Sequence, residues 1–235
     1  MSTDKAAERE IRRPVGPARG QGGPGRARVP RLVREPEMLA VAAREFGRSG
    51  FNGASMDHIA SECGVTKPML YSYFGSKEGL LTAAAEDAGD RLRVHVRKAV
   101  DVPGLEPDMR MWAGLLEVFA FVEEHREAWL LLYPGGGLAG GTLGAGAVRA
   151  RDAMADLLAD LFALTATEAG LPPEAVAQTE MLAHAVTGAT ISSASWWLDH
   201  PGEPKEVPAL RLMNLVWRGF EGLMETRIWL PASDG

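Results

Sequence analysis

The chain of 235 residues predicts an all-α fold, an N-terminal three-helix helix-turn-helix head followed by a larger helical domain, and three features carry that prediction. Apolar residues recur at offsets of three and four along most of the sequence, the spacing of one helix face. No segment between turn signals alternates with period two, as a half-buried strand would. The run from Ser55 to Glu78 reads as two short helices joined by a glycine turn.

With 46% apolar residues the chain can bury a sizeable core. No apolar run approaches the ~20 residues needed to span a bilayer, and the arginine-rich start lacks the apolar stretch of a secretory signal, so a cytoplasmic protein is expected. The net charge of −6 divides unevenly: residues 1–34 hold nine basic and three acidic side chains, a net of +6, leaving −12 beyond. Residues 1–33, with Pro14, Pro17, Pro24 and Pro30 among many glycines and few large apolar residues, are expected to form a disordered basic arm. Such an arm can attract phosphates while an acidic body repels a polyanion from the wrong face.

The first helix is expected from Pro36, suited to the first helical position. Leu39, Ala42, Ala43 and Phe46 form its apolar face, and Gly47 and Gly50 are expected to end it. In the second, Met56, Ile59, Ala60 and Cys63 share a face before Gly64 supplies a positive φ. The third opens on Thr66 as N-cap with Pro68 in its first turn. Val65, Leu70 and Phe74 can face inward, leaving Lys67, Pro68, Met69, Tyr71, Ser72 and Tyr73 on or near an outer face able to reach phosphates and base edges. Ser76 caps a fourth helix running to about Val100, and Gly79 near its start is expected to loosen it.

After a break at 101–104, Met109, Trp112, Leu115, Leu116, Phe119 and Val122 trace an apolar stripe, and 128–133 form another short helix. The glycine-rich run 134–146 carries no GKS or GKT triad and follows no strand, so it is not a phosphate loop and is expected to be a flexible connection, with a mobile lid on a ligand cavity as the alternative. Further helices are expected at about 145–168, 173–199 and 208–228, with 229–235 as a tail. The expected division is an arm (1–33), a head (34–80), a body (81–228) and the tail.

Catalytic and metal chemistry find little support. The five histidines are scattered, with no H-E-x-x-H and no pair at i, i+4, and no nucleophile elbow or dinucleotide fingerprint occurs. Cys63 is the only cysteine, which excludes a disulfide within the chain and a cysteine cluster. No catalytic residue, metal or cofactor is expected.

The run from Met38 to Leu81 resembles the DNA-binding signature of the TetR family of bacterial transcriptional regulators: Met38-Leu39, Ala42 and Phe46, then Gly50-Phe51, Ile59-Ala60 with Gly64-Val65, Leu70-Tyr71 with Tyr73-Phe74, and Ser76-Lys77-Glu78. The resemblance implies a homodimeric, ligand-responsive regulator, expected to be a repressor released from a palindromic double-stranded operator by a small apolar or aromatic effector, with no membrane partner. It implies phosphate contacts from Ser55, Thr66, Tyr73 and Lys77, and base contacts from Lys67, Pro68, Met69 and Tyr71 or Ser72. It also implies a dimer interface on the last two long helices. Trp112, Phe119, Trp129, Tyr133, Met154, Met181, His184, Trp196 and Trp217 are the candidates for an effector cavity. The rival readings are a helical carrier or enzyme keeping a relic head, and a sequence-nonspecific DNA-packaging protein.

Overall fold

The computed structural model describes residues 31–134 and 144–224, and every element among them is helical. The basic arm up to residue 30, most of the glycine-rich run and the tail lie outside the described residues.

Three helices make the head: α1 (Arg31–Gly53), α2 (Met56–Glu62) and α3 (Lys67–Phe74). Helix α1 begins five residues before Pro36, which sits inside it and forfeits only the bond its missing N–H would have donated one turn back. The ending also differs from expectation. Gly50 leaves helical geometry at φ 66°, but Gly47 remains helical, and its lack of a Cβ lets another helix approach closely. Gly64, at φ 63°, makes the turn between α2 and α3.

Helix α4 (Lys77–Val100) runs from the head into the body, across the expected division at 80/81. Ser76 caps it, its Oγ accepting from Gly79 N at 2.9 Å. Gly79 does not loosen this start: a Cβ there would lie 2.1 Å from the Phe74 carbonyl oxygen, so the glycine lets α3 and α4 close up.

The body adds α5 (Pro107–Glu124), α6 (Arg126–Leu132), α7 (Ala145–Glu168), α8 (Pro173–Val176), α9 (Thr179–Asp199) and α10 (Glu206–Met224). The single helix expected over 173–199 is broken in two at Ala177-Gln178. There the Thr179 hydroxyl donates to the Val176 carbonyl at 2.7 Å and competes with the ladder. Helix α10 starts two residues before Pro208. Helix α4 packs on α1, α5 and α7, and α7 packs on α9. One apolar core passes without interruption from Met38, Phe46 and Leu70 in the head through Leu80, Leu92, Phe119 and Trp129 to Trp197 and Leu212. No helix among the described residues is long and apolar enough to cross a membrane.

Candidate nucleic-acid interface and cavity

The head is held by a buried carboxylate. Glu45 on α1 accepts from Ser55 N through Oε1 at 3.1 Å and from Arg48 Nη2 through Oε2 at 2.6 Å. Burial pushes its pKa up, but the Ser55 N–H bond and the Arg48 guanidinium outweigh burial and hold it below the usual carboxylate range. Ser55 in turn caps α2, its Oγ accepting from His58 N at 3.3 Å. Glu45 therefore ties α1 to the first residue of the helix-turn-helix.

Helix α3 is anchored by Leu70, fully buried, with Val65 and Phe74 half-buried against the same core. Its eight residues span about 12 Å, the width of a B-DNA major groove. Thr66, Pro68, Met69, Tyr71 and Ser72 are exposed, Tyr71 at 39%. Thr66 occupies the N-cap position without a side-chain capping bond. Lys67 reaches across the turn to donate to Asp57 Oδ2 at 2.9 Å, and this bond and charge raise its pKa. Tyr73, expected on or near the outer face, is half-buried with its ring 5.9 Å from Phe74, and the Lys77 ammonium, expected at a phosphate, lies 4.9 Å over the Phe51 ring.

The body contains a cavity walled by α4, α5, α6, α7, α9 and Phe220 of α10. The centre of a water-sized sphere has about 70 Å³ in which to move there. Of the residues proposed from sequence, Trp129, Tyr133 and Met154 line it. Trp112 lies against the core, Phe119 is fully buried at 5.7 Å from the Trp197 ring, and Trp217 packs on Phe220. Met181, His184 and Trp196 lie on the outside of α9. Burial pushes the Tyr133 hydroxyl up to about 12, so it stays protonated in the wall.

Sequence reasoning missed most of the wall, Arg110 above all. A signal was present: Pro107, Arg110, Met111, Gly114, Leu115 and Val118 fall at offsets of three and four, so one face of α5 carries a lone arginine among apolar residues.

A different surface is apolar but open. On α9 and α10, Trp196 is 49% and Leu215 73% exposed, flanking a groove with Ser192, Ser193, Pro208, Arg211 and Leu212. Among the described residues no group of three or more His, Cys, Asp or Glu is placed to hold a metal ion. His95 Nδ1 lies 2.9 Å from Glu117 Oε1, and its ring meets those of Phe121 and His125 edge-on at 6.0 and 6.4 Å. Cys63 is half-buried, and burial followed by the neighbouring Glu62 charge pushes its thiol up to about 11.

Two family profiles match the chain: "Bacterial regulatory proteins, tetR family" over residues 38–84, and "Tetracyclin repressor-like, C-terminal domain" over residues 107–219. The HTH-type transcriptional activator FasR of Mycolicibacterium smegmatis is 28% identical over 215 residues, 90% of this chain and 94% of that protein. Among solved structures, a TetR-like transcriptional regulator from Rhodococcus sp. RHA1 is similar with a TM-score of 0.63 and 33% identity, covering 83% of this chain and all of the other. The regulator AibR, solved in complex with isovaleryl coenzyme A and operator DNA, shares the fold with a TM-score of 0.58 and 23% identity, covering 77% of this chain and 97% of that one.

Proposed function

Because the chain belongs to the TetR family of bacterial transcriptional regulators, we propose that it reads a palindromic operator as a homodimer and changes its hold on DNA when a small, largely apolar molecule fills the body cavity. The observation that carries this is the double role of α6. Trp129 on α6 and Tyr133 just beyond it line the cavity, while the backbone of Glu127, also on α6, lies against Gly47 of the head. Helix α1 then reaches the reading unit through the bond from Ser55 N to Glu45. Helix α4, which runs from the head into the body, offers one route, and α6 with α1 offers a second.

In this reading residues 34–80 bind DNA and residues 81–228 hold effector and partner. Met69, Pro68 and Tyr71 meet base edges, Ser55, Thr66, Tyr73 and Lys77 meet phosphates, and Lys67 does either after exchanging Asp57 for DNA. The open apolar surface around Trp196 and Leu215 pairs with its two-fold copy, giving two heads for two half-sites. An effector with unequal affinity for two head spacings, coupled by ~1–3 kcal/mol, shifts operator affinity about 5- to 150-fold. Release of a repressor is the primary reading. Activation is the second, supported by the name of the FasR relative, and the position of the operator upstream of or across a promoter separates them.

Selection of bound duplexes from a random pool at near-physiological salt tests the reading. An enriched inverted repeat is expected, and equal retention of every sequence would return the chain to the DNA-packaging alternative.

A further inference from the structure

We propose that the cavity takes a single-chain aliphatic carboxylate, with the carboxylate on Arg110 and an oxygen substituent along the chain on Thr187. This rests on the reading of the cavity as the effector site and names what fills it.

Shape restricts the occupant first. The wall follows α4 from Leu92 to Val100 and α5 from Pro107 to Val118, so at 1.5 Å per residue it extends for about 12 to 16 Å. Over that length only about 70 Å³ is open to the centre of a water-sized sphere. So little open space beside a mostly apolar wall suits a methylene chain better than a bulky fused ring system.

Charge restricts it next. Arg110 lies one turn into α5 with its side chain 18% exposed. Its Nη2 donates to the Leu105 carbonyl at 3.2 Å, whereas Nε and Nη1 are buried and have no hydrogen-bond partner. The Glu168 carboxylate is 4.0 Å from Nη1, beyond bonding distance and mostly exposed. It offsets part of the charge and leaves the donors unused. Buried guanidinium donors without partners are costly, and a carboxylate satisfies them with charge-assisted bonds.

The third observation lies on α9. Thr165 and Thr190, both in the wall, return their hydroxyls to the carbonyls of Leu161 and Val186 at 2.9 and 2.8 Å. Thr187 does not: its Oγ is buried in the same wall and makes no bond. A purely hydrocarbon chain leaves that hydroxyl unpaired, and a hydroxyl or keto group beside it does not.

The test is calorimetric titration of the full-length protein with decanoate, decan-1-ol, decanoyl-CoA and the positional isomers of hydroxydecanoate, followed by the same titrations on Arg110→Met, Arg110→Lys and Thr187→Val. Decanoate is expected to bind at least about tenfold tighter than decan-1-ol, and one hydroxydecanoate tighter again. Arg110→Met should bring acid and alcohol to one affinity, Arg110→Lys should keep part of the difference, and Thr187→Val should erase the preference for the hydroxylated chain. Equal binding of acid and alcohol to the unaltered protein overturns the proposal without any variant. So does decanoyl-CoA binding tighter than decanoate with no loss in Arg110→Met. Repeating the titration with the selected operator separates the two readings. An acid that binds as described but leaves operator affinity unchanged refutes the regulatory reading alone, and an operator that responds to an effector indifferent to Arg110 refutes this one alone.

Discussion

Replacing Gly47 by alanine tests the contact by which the body holds the head. A Cβ at this position would lie 2.0 Å from the Glu127 oxygen, 2.7 Å from its carbonyl carbon and 2.9 Å from its Cα. All three are backbone atoms, so no rotamer change makes room. Reaching even 3.0 Å from the oxygen requires about 1 Å of separation between α1 and α6. Overpacking costs ~1–3 kcal/mol, and opposed backbones place this case at the upper end. Alanine's better helix propensity returns about 1 kcal/mol. The net, about 2 kcal/mol, lowers Tm by roughly 4–8 °C for a chain of this size. Differential scanning calorimetry of Gly47→Ala beside Gly53→Ala measures it. The control residue is also helical, but its added Cβ meets only the Ser49 Cβ at 3.4 Å, so it should melt within a degree or two of the unaltered protein or slightly above it. If Gly47→Ala melts no lower than Gly53→Ala, α1 and α6 are not held at this contact and the route through α6 fails with it.

In the proposed dimer Leu215→Glu would place a charge in the apolar patch shared by the two copies, so light scattering should report a monomer and operator affinity should fall at least tenfold; an unchanged mass places the interface elsewhere. Glu45 titrates lower when folded than unfolded, so its stabilisation is present above the ordinary value of 4.5 and is lost as pH falls through the lower folded value. Glu45→Gln should therefore cost about 1 kcal/mol near neutrality and flatten the acid limb of a stability profile, and a limb of unchanged steepness would show that another carboxylate sets it. Cys63, with its thiol pushed up to about 11, is expected to react with iodoacetamide near pH 8 at least tenfold more slowly than free cysteine; labelling as fast as the free amino acid would mean the α2 face opens readily.

The helices and the reading unit were legible because local signals define them. Gly64 can be read as a turn, Ser76 as a cap and Leu70 as an inward residue without knowing what they pack against. The errors share one cause. Pro36 resembles a start signal, but a helix that continues upstream survives the loss of one hydrogen bond. Gly47 and Gly79 resemble breakers, and both are positions where another backbone comes within reach of the missing Cβ, a property of tertiary structure alone. Trp196 and Phe119 are equally bulky in sequence. Whether such a residue lines a cavity, fills the core or faces outward depends on which side of the helix meets its neighbours, and on α9 a one-residue step separates exposed Trp196 from buried Trp197. Arg110 was not legible as part of a wall because bulky aromatic residues are the usual mark of a cavity, while its own signature is a single charge on an apolar face.

The arrangement of α6 explains why filling a cavity in the body should be felt by the head. The helix has seven residues, about two turns, too short to absorb a push at one end by bending before the other end moves. Trp129 presents its ring to the cavity only two residues from Glu127, whose backbone already fills the space left by Gly47. The contact consists of main chain against main chain, so side-chain repacking cannot take up the displacement. Beyond it, Glu45 lies two residues before Gly47 on the same helix and accepts the N–H of the residue that caps α2. A shift of α1 therefore has to move the reading unit or stretch that bond. Forcing α1 about 1 Å away from α6, as a Cβ at Gly47 would, costs ~1–3 kcal/mol, the same order as the ~1–3 kcal/mol by which effectors couple to distant sites. One close-packed contact is thus stiff enough to carry the proposed coupling without unfolding either part it connects.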